Sequence, residues 1–163
     1  MYKYLELSDI PETSPVVGMA QYYFGLPVYE SGNLENSPIP LWADFNPIDV
    51  RKVLPWIVVI QRLDASPEGH LIKLEGQKVI EASGVNSMGK SLAEAFDAEM
   101  AELKWREMEM VAKERCVSYT VSPVPRSNKA FINIYRGCFP FCDDTGEVCK
   151  VVIIVAPVDD RIR

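Results

Sequence analysis

Cys138, Cys142 and Cys149 stand in a C-x3-C-x6-C pattern, the densest run of metal-binding or redox-capable side chains in the sequence. A structural zinc ion needs four ligands, usually in closely spaced pairs at both ends of the site. Only Cys116 or His70 could complete such a set, so packing is the stronger reading and no metal is expected. If the turn between the flanking segments centres on Thr145-Gly146, Cys142 and Cys149 face each other across a hairpin, and a thiol switch is the chemistry left open. His70, the single histidine, precedes a strand-like segment and reads as an exposed turn residue rather than a ligand or proton shuttle. Glu99, Glu102 and Glu109 alternate with Arg106 and Lys113, the pattern of a solvated helix face and not of a catalytic carboxylate pair. No Ser/His/Asp set and no phosphate-cradling glycine loop is present, so no catalytic residue is assigned.

Polar residues inside apolar segments point elsewhere. Gln61, Asn133 and Arg136 lie in strand-like stretches where an inward polar group needs a partner; exposure on the opposite face of a sheet is the plain alternative. Together with Leu74, Trp105, Met108 and Tyr119 they form the candidate ligand-binding set. Trp105 and Met108 are core residues first and pocket lining second. An acid–base enzyme acting on an apolar substrate would need a desolvated carboxylate; Glu75 and Asp64 sit at strand ends with no histidine nearby, which disfavours it.

The 163 residues carry 17 Lys+Arg against 23 Asp+Glu, a formal net charge of −6, with 48% hydrophobic and 25% charged residues. That is the balance of one ordinary globular domain. The acidic excess removes the electrostatic footprint of phosphate-backbone binding, so nucleic acid is not expected as a partner. The longest apolar run, Val151 to Pro157, is far shorter than the ~20 residues of a membrane span, and no signal peptide is evident. A cytoplasmic address with reduced cysteines follows as the expectation.

These side chains must be positioned by a regular order of elements. Residues 1–12 read as a mobile tail. Ser14-Pro15 caps a short helix that ends near Gly25, and its Tyr22-Tyr23-Phe24 end wants a partner surface. The segment from Pro27 to Pro40 is a loop, with its turn at Ser31-Gly32-Asn33. Asn46-Pro47 starts a helix that must stop near Leu54. Trp56 to Leu63 and Leu71 to Gly76 read as a hairpin, with Ile72, Leu74 and Gly76 on one face of the second strand. Helical pieces follow: Gln77 to Ser83, a capping box at Ser91-Leu92-Ala93-Glu94, and a long helix from Asp97 to Arg115. On the long helix Ala98, Ala101, Trp105, Met108 and Ala112 share a stripe that lies on a sheet. Leu103 and Met110 form a second apolar edge needing cover. Strands at Val117 to Val121, Phe131 to Phe139 and Val148 to Ala156 complete an α+β fold of order β-β-α-α-α-β-β-β. Its five-stranded antiparallel sheet carries helices on one face and an N-terminal helical cap, and the first strand lies beside the last.

The order resembles the PAS fold, and more narrowly a bacterial family of uncharacterised single-domain PAS-like proteins, over residues 40–157. The residues that carry the likeness are Pro40-Leu41-Trp42-Ala43-Asp44-Phe45-Asn46-Pro47, Leu54-Pro55, Leu74-Glu75-Gly76, Gly84 and Met88-Gly89-Lys90-Ser91-Leu92. They are architectural, not catalytic; Tyr22-Tyr23, where the family more often has a Trp, and the long Pro27–Pro38 loop depart from it. The resemblance divides the chain into residues 1–39 (tail, helix and loop), 40–157 (the PAS-like domain) and 158–163 (tail). It implies a non-enzymatic sensory or interaction domain that binds a small organic ligand or a protein partner. A homodimer could form through residues 14–30, and because the sequence ends at Arg163 without an effector domain, output would pass to another protein. A haem sensor of this fold would present an axial His from the long helix, which has none. A flavin photoreceptor would need a Cys on the short helix Ser91–Phe96, so no cofactor is expected.

Overall fold

The structure is a computed structural model and describes residues 3–29, 37–125 and 131–162. Its elements are β1 (Lys3–Tyr4), α1 (Pro15–Phe24), β2 (Ile57–Arg62), β3 (His70–Glu75), α2 (Gln77–Ser83), α3 (Leu92–Ala95), α4 (Ala98–Glu114), β4 (Ser118–Pro125), β5 (Phe131–Cys142) and β6 (Val148–Pro157). The six strands form one antiparallel sheet in the order β1-β4-β5-β6-β2-β3. β2 pairs with β6, Val58 opposite Ile153, so the first core strand does lie beside the last. The expected α+β class and element order hold, with β1 as an additional edge strand.

Local chemistry sets the helix ends. The Ser14 hydroxyl accepts from Val16 N–H with Pro15 at the first helical position, and α1 stops at Gly25. Ser91 and Glu94 form the expected capping box, and Asp97 accepts from Met100 N–H at the start of α4. Gly84 closes α2 in the left-handed region at φ 77°.

Helices cover both faces of the sheet, which is why β2 and β6 are apolar without alternation. On the outer face α1 buries Val16, Val17, Met19, Ala20 and Tyr23 with Ile57, Phe139, Phe141 and Ile154. The surface sought by the Tyr22-Tyr23-Phe24 end is thus this chain's own sheet: Tyr23 lies 5.3 Å from both Phe139 and Phe141 and donates from its hydroxyl to Pro140 O at 2.8 Å. Trp42 stacks on Phe45 at 4.8 Å along the same layer. On the inner face Leu92, Met108 and Val111 pack over Val58, Ile60, Ile72, Cys138, Val151 and Ile153.

Several expectations are corrected. Residues 3–12 are docked rather than a tail: Lys3 and Tyr4 pair with Val121 and Thr120, and Ile10 is buried. The Asn46-Pro47 helix is a single 3-10 turn, Pro47–Val50, followed by another at Leu54–Trp56 that accommodates Pro55 near its start. The residue opposite Cys142 is Val148; the register shifts there and leaves Cys149 in the irregularity, so the two thiols are not cross-strand partners. The turn expected at Ser31-Gly32-Asn33 lies outside the described residues.

Candidate functional site

Between the inner face of the sheet and α2, α3 and α4 is a cavity of about 580 Å³. Sheet alternation supplies its floor: Val58 and Ile60 from β2, Ile134 from β5, Ile153 and Val155 from β6. Leu92, Phe96, Met100, Leu103 and Met108 form the roof. Leu103, half of the second apolar edge, therefore finds its place at the cavity wall.

A buried charged cluster borders this apolar space on the β5–α4 side, while Glu75 and Asp97 stand elsewhere on its wall. Arg136 on β5 and Glu107 on α4 are both buried and pair at 2.9 Å. The same Glu107 oxygen accepts from the Cys138 thiol at 3.2 Å. Burial, then the Glu107 charge, pushes that thiol well above its ordinary range. Lys104, one helical turn before Glu107, lines the cavity with Arg136 and holds its Nζ 4.8 Å from the Phe96 ring centre. Burial, with a further contribution from Arg136, lowers the Lys104 ammonium from 10.5 to about 7. Along β4, facing Cys138, Arg136 and Ile134 in register, run Ser118, Thr120 and Ser122. All three hydroxyls are buried and have no hydrogen-bond partner, and Ser122 lines the cavity.

Of the residues singled out from sequence, Met108 and Arg136 line the cavity. The other five do not. Gln61 and Asn133 alternate onto the outer face, where Asn133 is exposed. Tyr119 is also on that side, 6.1 Å from Phe139, and burial raises its hydroxyl to about 12. Trp105 packs at the edge of the inner core with a buried, unpartnered Nε1. Leu74 is turned away by a register shift: Val59 faces Leu74 but Ile60 faces Ile72, so Lys73 is an extra residue and the alternation inverts. Glu75 takes the inner position instead, its carboxylate accepting from Ser87 N–H.

The sequence missed Lys104, Glu107 and Ser122. Glu107 carried a readable signal, since at helical spacing it falls beside Met108 and Val111 rather than on the charged face. His70 is corrected most sharply, for it is fully buried. Its Nδ1 lies 2.6 Å from Ser66 O and its Nε2 3.1 Å from Glu109 Oε1, while Glu109 takes a bidentate pair from Arg62 at 2.8 and 3.1 Å. Burial pushes the Glu109 carboxyl up, but the Arg62 bonds and charge outweigh it and hold the group below its usual range. Glu109 thus leaves the solvated face and ties α4 to β2 and β3. Among the described residues no cluster of three His, Cys, Asp or Glu side chains is arranged to hold a metal, and no helix is long and apolar enough to cross a membrane.

No protein-family model matches the chain, and no curated protein does. Solved structures do. VqmA bound to DPO superposes with a TM-score of 0.53 at 15% identity, covering 68% of this chain and 56% of that one. A Vibrio cholerae VqmA–ligand–DNA complex gives 0.53 at 15% identity over 68% of this chain and 49% of that one. An RNA-binding light-oxygen-voltage receptor gives 0.48 at 13% identity over 82% and 36%. The chain spans about half the length of the VqmA chains, and at such identities the likeness is one of fold.

Proposed function

We infer that residues 40–157 form a PAS-type sensory domain that takes a small, largely apolar organic molecule into the inner cavity and signals through a protein partner. The single observation carrying this reading is the cavity itself. Its volume falls in the ordinary range of small-molecule sites, and its lining is largely aliphatic, with the cations Lys104 and Arg136 on one side and the carboxylates Glu75 and Asp97 at other points of the wall. The shared fold with VqmA, whose structures hold DPO or a ligand together with DNA, supports a ligand-binding role. The described residues before 40 act as a cap, and the segment after 157 docks rather than trailing as a tail, with Ile162 N–H on Thr13 O and Asp160 accepting from the Trp56 indole. The exposed Phe24 and Val28 offer residues 14–30 an apolar spot for self-association. The domain works in the cytoplasm without nucleic acid. An acid–base enzyme finds less support, because Glu75 is engaged by Ser87 N–H and no tyrosine is among the described lining residues.

Native mass spectrometry of the purified protein tests this. A small non-covalent adduct is expected, released on denaturation and lost when Ala95→Phe fills the cavity. A wild-type protein without adduct, whose crystal structure shows the cavity closed by side chains, would overturn the reading.

A further inference from the structure

We propose that the ligand is an amphipathic monocarboxylate, its apolar body under α3 and α4 and its anionic head between Lys104, Arg136 and the Ser122 hydroxyl. This rests on the cavity being a ligand site and adds the chemical class of what fills it.

The polar groups of the cavity are distributed in space by sign. Arg136 and Ser122 come from β5 and β4, and Lys104 lies above them on α4. The carboxylates among the lining residues are elsewhere. Glu75 is on β3, three strands from β5, or ~14 Å across the sheet at the usual strand spacing. Asp97, the N-cap of α4, precedes Lys104 by seven residues, or ~10 Å along the helix, and is engaged with Met100 N–H. Glu107 is the carboxylate facing Lys104 at the basic side, and it already serves Arg136 and the Cys138 thiol. With Lys104 protonated, the cluster of Lys104, Arg136 and Glu107 carries one net positive charge at the wall of an apolar, partly open cavity. Among the described residues no carboxylate pairs with Lys104. One same-face step from Arg136 along the β4–β5 ladder, Ser122 lines the cavity with a buried hydroxyl that no protein group engages. A single carboxylate answers both: it neutralises the ammonium and accepts from the hydroxyl, and charge-assisted bonds of this kind are the strong ones. A neutral head leaves the charge uncompensated, and a cationic one adds to it.

Binding should then couple to protons. Facing the Lys104 ammonium are Glu107 on its own helix and Arg136 and Cys138 on β5, with Asp97 and Glu75 farther off at the cavity wall. Free Lys104 sheds its proton near neutrality, and an anion beside it restores the proton. Affinity for the acid therefore holds steady at mildly acidic pH and falls by about tenfold per pH unit above neutrality, until the ammonium of the complex titrates.

Isothermal titration of ligand-stripped protein with hexanoate, octanoate and decanoate, each against its primary amide, decides the matter. At mildly acidic pH the wild type should bind the best acid roughly tenfold or more tightly than its amide. That preference should fade in alkaline buffer. Lys104→Met should abolish it, so that acid and amide bind alike, and Ser122→Ala should reduce it. Equal binding of acid and amide by the wild type, or a preference that survives Lys104→Met, would overturn the carboxylate assignment and leave the cavity reading standing. No binding of any member, with the native protein also free of adduct, would sink both.

Discussion

Ile153 and Ile154 are neighbours on β6, of one residue type and both buried, yet they belong to different environments. Ile154 points outward into the layer sealed by α1, where Tyr23, Trp42, Phe45, Phe139 and Phe141 meet mostly at tilted or edge-on angles. Ile153 points inward and borders the cavity. The outer face even excludes side-chain volume at Gly137, where a Cβ would stand 3.0 Å from Val16 Cγ1 and 2.8 Å from Phe139 Cε2. One face of the sheet is filled so that the other can be left partly empty. Close aromatic packing is concentrated under α1, and the cavity with its buried charges lies under α4.

The largest effect should come from truncating this pair. Ile154→Ala removes contacts on every side and opens a new hole in a close-packed layer, at a cost of about 4 kcal/mol. Ile153→Ala enlarges a space that already exists and forfeits fewer contacts, at about 2 kcal/mol. Urea denaturation of the two variants gives the ratio directly. Equal losses would mean that the inner face is as tightly packed as the outer one, and the contrast would fail.

A second test asks whether the inner face pays for its charge. Lys104 titrates at about 7 in the folded chain against an ordinary 10.5. Between those values the unfolded chain binds a proton that the folded chain releases, so the stability contribution of this position rises with pH across the window and is level on either side. Lys104→Met removes the dependence. It should therefore stabilise the ligand-free protein by on the order of 1 to 2 kcal/mol near pH 6, discounted from the full shift because the side chain keeps part of its hydration, and by little near pH 10. Thermal unfolding at the two pH values, wild type against variant, supplies the measurement. A pH-independent difference would show that Lys104 is as well solvated as a surface lysine.

The two faces also differed in how much of them could be read beforehand. Helix starts at Ser14-Pro15, Ser91-Glu94 and Asp97 are local in sequence and came out as written. So did the placing of the first core strand beside the last, because apolar runs bounded by turn residues leave few antiparallel arrangements, although the edge strand β1 was missed. The inner site was less legible, since its partners are distant in sequence. Glu107 and Arg136 are 29 positions apart and Ser66 and Glu109 flank His70 from different elements. A one-residue shift at Lys73 exchanged Leu74 for Glu75, and strict alternation has no means of anticipating it. Polar groups with long-range partners look, in a linear pattern, like ordinary surface.

The smallest effect separates a satisfied hydroxyl from an unsatisfied one. Tyr23 spends its hydroxyl on Pro140 O at 2.8 Å within the outer layer; burial pushes that group above its ordinary range, so it stays a neutral donor. Tyr23→Phe keeps the ring and its contacts but strands the carbonyl, at about 1 kcal/mol. Ser122→Ala on the inner face removes a hydroxyl that no protein group engages, so the ligand-free protein should be unchanged or slightly stabilised. The same variant should weaken carboxylate binding, whereas Tyr23→Phe should leave it alone. Paired denaturation and titration curves thus cross: one hydroxyl matters to the fold and not to the ligand, the other to the ligand and not to the fold. A Ser122→Ala loss as large as that of Tyr23→Phe would place Ser122 among the structural hydrogen bonds and take the head-group donor out of the cavity.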